Sequence, residues 1–195
     1  VIGRLADLQP DDVVLEIGPG LGVLTTYLAD RVERVHAVEL DRSLEPMLRE
    51  RLAGRDNVEL TFGDALELLH GDFDPLPNKL VANLPYSVAT PIVMEGLAAL
   101  PSVGHWCVMV QREVADRFFA EPRTKAYGAV SVLVQLEAER TGFHPVSRSV
   151  FRPPPNVDSA LVAFRRRPEP PAVGWRELKR VVEAAFAHRR KTLPN

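Results

Sequence analysis

VVLEIGPGLGVLTTYL, residues 13–28, decides the fold. Val13–Ile17 is a short, almost wholly apolar run, the mark of a strand buried on both faces, and Gly18 closes it. Leu21, Leu24 and Leu28 then recur at helical spacing, so the stretch reads as strand, tight turn, helix. Gly18, Gly20 and Gly22 let the backbone turn sharply and approach a ligand with no side chain in the way. The order G-x-G-x-G, preceded by Glu16, departs from the G-x-G-x-x-G dinucleotide fingerprint. It suits a nucleoside held by its ribose better than a pyrophosphate. Taken alone, the loop reads equally well as a plain strand-to-helix turn.

The same alternation continues outward. Val35–Leu40, Val58–Phe62, Leu80–Ala82 and His105–Val110 read as further strands. Between them, Ser43 is placed to cap a helix carrying Leu44, Leu48 and Leu52 on one face, and Val88–Leu100 and Val114–Ala120 are helical. Val130–Leu136 and Ala160–Phe164 read as the last two strands, joined by a proline-rich link with no helix between them. The expected architecture is α/β and Rossmann-like: a mostly parallel seven-stranded sheet flanked by helices, with an antiparallel edge. Residues 1–168 form this domain. Residues 169–195, with a basic helical pattern over Val173–Leu193, open a second helical region. Val1 is not a Met and lies inside an amphipathic pattern (Ile2, Leu5, Leu8), so both ends read as trimmed.

In such sheets ligands bind beyond the carboxyl ends of the strands, and the motifs fall there. Val38-Glu39-Leu40-Asp41 ends the second strand, and Glu39 lies 19 residues after Gly20, where a carboxylate accepts both hydroxyls of a ribose. Asp41 is also suited to a helix cap. Gly63-Asp64-Ala65 ends the third strand; Asp64 is placed either to accept from an adenine amine or to cap a helix. Three ligand-type motifs at successive strand ends describe an adenosyl pocket with no phosphate to bind, which points to S-adenosylmethionine. Asn83-Leu84-Pro85-Tyr86 ends the fourth strand. The Asn83 side-chain oxygen and the Leu84 carbonyl are suited to accept from the amine of a target adenine. Pro85 fixes the turn, and Tyr86 offers a face for the base.

Composition narrows the class. No apolar run is long enough to span a bilayer, nothing resembles a signal peptide, and Cys107 is the single cysteine, which excludes an internal disulfide and a multi-cysteine zinc site. A reduced, cytoplasmic, monomeric protein without metal is expected. Net charge is −2, but it is divided unevenly. Residues 1–145 hold 13 Lys and Arg against 22 Asp and Glu, whereas residues 146–195 hold 11 against 4. The basic C-terminal part is either a solvated face or a surface for nucleic-acid phosphate.

EIGPGLG, VELD, GDA and NLPY, in this order, closely resemble the small-subunit (16S-type) ribosomal RNA adenine N6,N6-dimethyltransferases. VQREVADR (residues 110–117), KAYGAVSVLVQ (125–135), FRPPPNVDSALV (151–162) and FAHRRKTL (186–193) extend the likeness over nearly the whole chain. The resemblance implies a class I S-adenosylmethionine-dependent methyltransferase, with S-adenosylhomocysteine as product. It implies as substrate two adjacent adenosines in a 3′-terminal hairpin loop of small-subunit rRNA, within an immature subunit, taking four methyl groups in all. Matched to the family's motifs, Glu16, Gly18, Gly20, Gly22, Glu39, Leu40, Asp64, Ala65 and Asn83 surround the cofactor. Asn83, Leu84, Pro85 and Tyr86 are the catalytic motif, and Phe151 closes over the base. Arg112, Arg117, Arg148, Arg152, Arg165–Arg167, Arg189, Arg190 and Lys191 are candidates for RNA phosphate. The family's upstream Q-N-F-L-type segment and most of its C-terminal helical domain have no counterpart here, so cofactor and rRNA binding by this form are expected to be impaired. Two alternatives differ in kind. One is the large-subunit rRNA adenine methylase of macrolide resistance, which the FRPPPNVDSA stretch and Leu84 disfavour. The other is a non-catalytic nucleic-acid-binding relative, which the intact Gly18, Glu39, Asp64 and Asn83 disfavour.

Overall fold

The computed structural model describes residues 1–169 and 171–187. The expected Arg189, Arg190 and Lys191 contacts lie outside the described residues. After a short helix α1 (Ile2–Leu5), the chain alternates through β1 (Val13–Ile17), α2 (Val23–Ala29), β2 (Arg34–Glu39), α3 (Glu45–Arg51) and β3 (Val58–Phe62). It continues through α4 (Ala65–Leu68), β4 (Lys79–Asn83), α5 (Ala89–Ala99), β5 (His105–Gln111) and α6 (Arg112–Phe118). Then come α7 (Ala129–Glu137), β6 (Ala138–Val146), β7 (Ser159–Arg166) and α8 (Trp175–Phe186).

One sheet holds all seven strands in the order β3-β2-β1-β4-β5-β7-β6. β1 to β5 are mutually parallel, and β7 runs antiparallel to both β5 and β6. Alternate residues of each strand feed opposite faces. Leu15, Ile17, Leu80, Trp106 and Val108 join the larger core under α5, α6 and α7, while Val14, Val35, Val81 and Cys107 join a smaller one under α1 and α2. In the larger core Trp106 stacks on Phe164 with ring centroids 5.5 Å apart. The indole also packs so closely on α5 that a Cβ on Gly96 would lie 2.6 Å from it.

Two local expectations are corrected. Val130–Leu136 is not a strand but the body of α7. A continuous buried apolar run does not distinguish strand from helix; the polar pair inside it does. Ser131 and Gln135, one helical turn apart, both face the end of α6. The Ser131 hydroxyl donates to the Arg117 carbonyl (2.6 Å) and accepts from Gly128 N–H (3.1 Å), and Gln135 donates to the Ala120 carbonyl (2.9 Å). The sixth strand is instead AERTGFHPV, residues 138–146, half-exposed at the sheet edge and broken in register between Arg140 and Gly142. Charge, a bulge and Pro145 belong to an edge strand, and they erase the alternation that would have announced it. Ser43 does not cap the helix after β2 either: Asp41, whose carboxylate accepts from Ser43 N–H (2.9 Å), caps a 3-10 turn over Arg42–Leu44 that leads into α3, and α3 itself has no side-chain cap.

Candidate active site

The parallel register brings the carboxyl ends of β1, β2, β3 and β4 side by side: Ile17 pairs Val38, Glu39 pairs Phe62, and Asn83 pairs Met109. The loop after β1 holds Gly18, Gly20 and Gly22 at φ of 72°, 56° and 73°, a region costly for any side-chain-bearing residue. These turns delay α2 to Val23, two residues beyond the apolar pattern's start at Leu21. Gly18 N–H donates to the Val38 carbonyl (2.9 Å), and a Cβ on Gly18 would meet Pro85 at 3.5 Å. The glycine loop and the NLPY loop therefore pack against one another.

Glu39 spans two loops. One carboxylate oxygen accepts Gly20 N–H (3.0 Å), the other accepts Asp41 N–H (2.9 Å), and the side chain is nearly buried. Each oxygen keeps a lone pair for a vicinal diol. Leu40, next along, is 69% exposed and offers a bare apolar surface beside it. Asp64 is the cap of α4, accepting Leu66 N–H through Oδ1 (2.9 Å), with Ala65 opening the helix. The capping and ligand readings of Asp64 are thus compatible, because Oδ2 has no partner among the described residues.

Beneath the loop, Glu16 is 1% exposed, and its Oε2 has no hydrogen-bond partner among the described residues. Burial pushes its carboxyl up to about 8; the Glu39 carboxylate adds to this, and the nearby Thr25 hydroxyl opposes it. Glu16 lines a cavity of about 680 Å³ together with Gly18, Gly20, Tyr27, Asn83 and Met109. Such a volume takes a nucleoside-sized ligand. An unpartnered buried carboxyl, a cradle kept open by glycines and an acceptor pair on Glu39 fit an adenosyl group carrying a cationic amino-acid end. Among the described residues no cluster of His, Cys, Asp or Glu is arranged to hold a metal.

At the end of β4 the Asn83 side chain is exposed and unpartnered among the described residues. Leu84 is anchored by its N–H on the Met109 carbonyl (3.0 Å) and by its buried side chain, while its own carbonyl accepts nothing among the described residues. The Pro85 carbonyl accepts Val88 N–H (3.1 Å), closing the turn into α5. Half-buried Tyr86 shares a hydrogen bond with Ser159 (2.6 Å). Ser159 and Asp158 were not singled out among the expected site residues, although both lie within FRPPPNVDSALV. Asp158 takes Arg112 N–H on its carbonyl and Arg148 N–H on its carboxylate, each at 2.9 Å. Phe151 is half-buried on the same loop and makes no ring contact or hydrogen bond with Tyr86.

The basic residues divide by end of the sheet. Arg112 and Arg148 stand at the carboxyl end, lining a hollow of about 560 Å³ between α6 and the 147–158 loop. Arg112 is engaged with Asp116 (3.0 Å) and lies over the Phe143 ring, Arg117 pairs with Glu113 (2.6 Å), and exposed Arg152 has no partner among the described residues. Arg165–Arg167 are elsewhere. Because β7 is antiparallel, Arg165 pairs with His105 at the start of β5, at the opposite end from Asn83. Arg165 is bound to Glu139 (2.5 Å). Arg166 donates to the carbonyls of Leu97 (2.9 Å), Leu100 (3.0 Å) and Val103 (3.3 Å) and pairs with Glu137 (3.3 Å). Arg167 donates to the Gln135 carbonyl (2.9 Å). The run expected at phosphate is bound up in the fold, with Arg166 serving the carboxyl end of α5.

Comparison with known proteins agrees with this arrangement. A profile described as ribosomal RNA adenine dimethylase matches residues 2–195. Relatives named ribosomal RNA small subunit methyltransferase A are 48% identical in Rubrobacter xylanophilus, over 97% of this chain and 72% of the relative, and in Thermobifida fusca, over 98% and 69%. Among solved structures, a dimethyladenosine transferase from Plasmodium falciparum superposes with a TM-score of 0.86 at 29% identity, over 98% of this chain and 69% of that one. The 23S rRNA methyltransferase ErmE does so at 0.74 and 34%, over 95% and 75%. The fold is that of the class I S-adenosylmethionine-dependent methyltransferases, and the chain belongs to the ribosomal RNA adenine dimethylase family.

Proposed function

We propose that the protein transfers methyl groups from S-adenosylmethionine to the N6 amines of two adjacent adenosines in a 3′-terminal hairpin loop of small-subunit rRNA, twice per base, within an immature subunit in the cytoplasm. The observation that carries this reading is the end of β4. There, adjacent residues of a loop packed against the glycine loop carry two acceptors without a partner among the described residues, Asn83 Oδ1 and the Leu84 carbonyl. Names of the relatives assign them the same subunit.

When bound, S-adenosylmethionine supplies an electrophilic methyl group on sulfur. Glu39 would accept from the ribose hydroxyls, Asp64 Oδ2 from the cofactor's adenine amine, and Leu40 would pack on that ring. Asn83 Oδ1 and the Leu84 carbonyl would accept the N–H bonds of the target amine, two in the first transfer and the one that remains in the second. That draws the nitrogen lone pair out of conjugation and holds it toward the methyl group. Transfer would exchange the methyl–sulfur bond for a methyl–nitrogen bond, and the target amine, made acidic by it, would give a proton to water, so no strong base is needed and S-adenosylhomocysteine would be the product. Catalysis is positioning and preorganised electrostatics. Tyr86 stacks the extruded base, Phe151 closes over it, and a hairpin-loop adenosine costs least to extrude. Arg112, Arg148 and Arg152 attract backbone phosphate at the same end of the sheet. The basic C-terminal part, of which α8 is the described helix, begins a helical region that contacts RNA.

The test is to offer the protein labelled S-adenosylmethionine with immature small subunits or large subunits and to map the methylated base. Label confined to adjacent adenosines of small-subunit rRNA supports the reading. Label on large-subunit RNA alone, or on no RNA, overturns it.

A further inference from the structure

The residue that holds the stacking ring in place is not in the NLPY motif. Tyr86 sits in a surface turn, half-buried, and its ring meets no other aromatic ring among the described residues. Among those residues its side chain shares one hydrogen bond, between the phenol and Ser159 Oγ, at 2.6 Å. Ser159 is wholly buried and is clamped from both sides, paired to Gln111 of β5 and to Val146 of β6. Its hydroxyl is therefore a fixed point, out of competition with water. The residue before it, Asp158, accepts Arg112 N–H at the head of α6 and Arg148 N–H in the loop that carries Phe151. The Arg148 guanidinium closes the same loop on the Asn156 carbonyl (3.1 Å).

We propose that Ser159 is a positioning residue for base methylation: its hydroxyl sets the plane of the Tyr86 ring, and its place at the head of β7 ties that ring to the loop bearing Phe151 and Arg148. The inference rests on Tyr86 being the stacking face for the target base. A ring held in one orientation has already lost the rotamer freedom that stacking demands, whereas a free ring loses it at each encounter. Ser159 touches neither cofactor nor base and acts only through Tyr86.

The experiment compares Ser159→Ala, Tyr86→Phe, the double variant and Tyr86→Ala. It measures single-turnover methyl transfer to immature small subunits, and S-adenosylmethionine affinity by calorimetry. Ser159→Ala and Tyr86→Phe break one bond from opposite ends. Each is expected to slow transfer about fivefold, the worth of one such hydrogen bond, with cofactor Kd unchanged. The double variant is expected to be no slower than either single one, because both remove a single interaction. Tyr86→Ala is expected to lose much more. Multiplying losses in the double variant, or wild-type transfer by Ser159→Ala and Tyr86→Phe alongside a crippled Tyr86→Ala, overturns the role of Ser159 while leaving the stacking face intact. Wild-type transfer by Tyr86→Ala overturns the stacking face itself, and this inference with it. Tyr86→Phe alters a half-exposed site, so the comparison survives even if Ser159→Ala folds poorly.

Discussion

Replacing Glu16 by Gln should make the protein's stability less sensitive to pH, by an amount set by the buried carboxyl. In the fold this group keeps its proton up to about 8, against 4.5 ordinarily, first because burial penalises its charged form. Below 4.5 the folded and unfolded chains both carry the proton, and the carboxyl's contribution is fully present. Between 4.5 and about 8 the folded chain holds a proton that the unfolded chain has released, so stability falls as pH rises. Above about 8 the loss is complete. At about 1.4 kcal/mol per pH unit this window has a ceiling of about 5 kcal/mol, and water entering the cavity beside Glu16 lowers it. Gln has nearly the same shape and does not titrate. Urea unfolding followed by tryptophan fluorescence from about pH 5 to about pH 9 checks this. Glu16→Gln should match the wild type within about 1 kcal/mol at the acid end and exceed it by about 2–5 kcal/mol at the alkaline end. A difference between the two proteins that stays constant over the range would refute the reasoning, because the carboxyl would then be ionised throughout.

Four other outcomes are expected. Asn83→Ala should abolish methyl transfer while leaving S-adenosylmethionine affinity within a few-fold, measured by calorimetry; undiminished turnover would remove Asn83 from the chemistry. Gly96→Ala places a Cβ 2.6 Å from a fully buried indole, so it should cost about 1–3 kcal/mol in urea unfolding. Arg166→Met strips three carbonyls of a donor and strands Glu137, and should lower stability by about 3–5 kcal/mol without changing the salt dependence of RNA binding. Burial pushes the Cys107 thiol up to about 12, so iodoacetamide at mildly alkaline pH should leave it unmodified until denaturant is added, as read by mass spectrometry.

The five parallel strands were legible because each is a short run of continuous or alternating apolar residues punctuated by Gly, Asp or Pro, and six of the sheet's seven strands stand where that patterning put them. The gathering of the candidate motifs was legible for the same reason: residues placed at strand ends are brought together by any parallel sheet. What escaped was decided by tertiary contacts. Val130–Leu136 is apolar enough for a buried strand, and only the carbonyls of Arg117 and Ala120, supplied by α6 and the chain just beyond it, show why Ser131 and Gln135 must share a face. β6 escaped because an edge strand is selected for charge and irregularity rather than for alternation. The Arg165–Arg167 run lies at the end of the sheet away from Asn83, because strand direction, which a count of charge along the chain does not see, decides which end a residue occupies.

The antiparallel seating of β7 between β5 and β6 also sets an order of events during synthesis. A nascent chain that has emerged as far as Gln111 already contains the glycine loop, Glu39, Asp64 and Asn83, yet its β5 edge is bare and the Tyr86 phenol lacks its buried partner. Both are completed only when Ser159–Arg166 slides in, long after the rest of the pocket has been made. A protein arrested before that strand would carry every motif of a methyltransferase on an open-edged sheet, and would be prone to pair with another chain instead of with RNA.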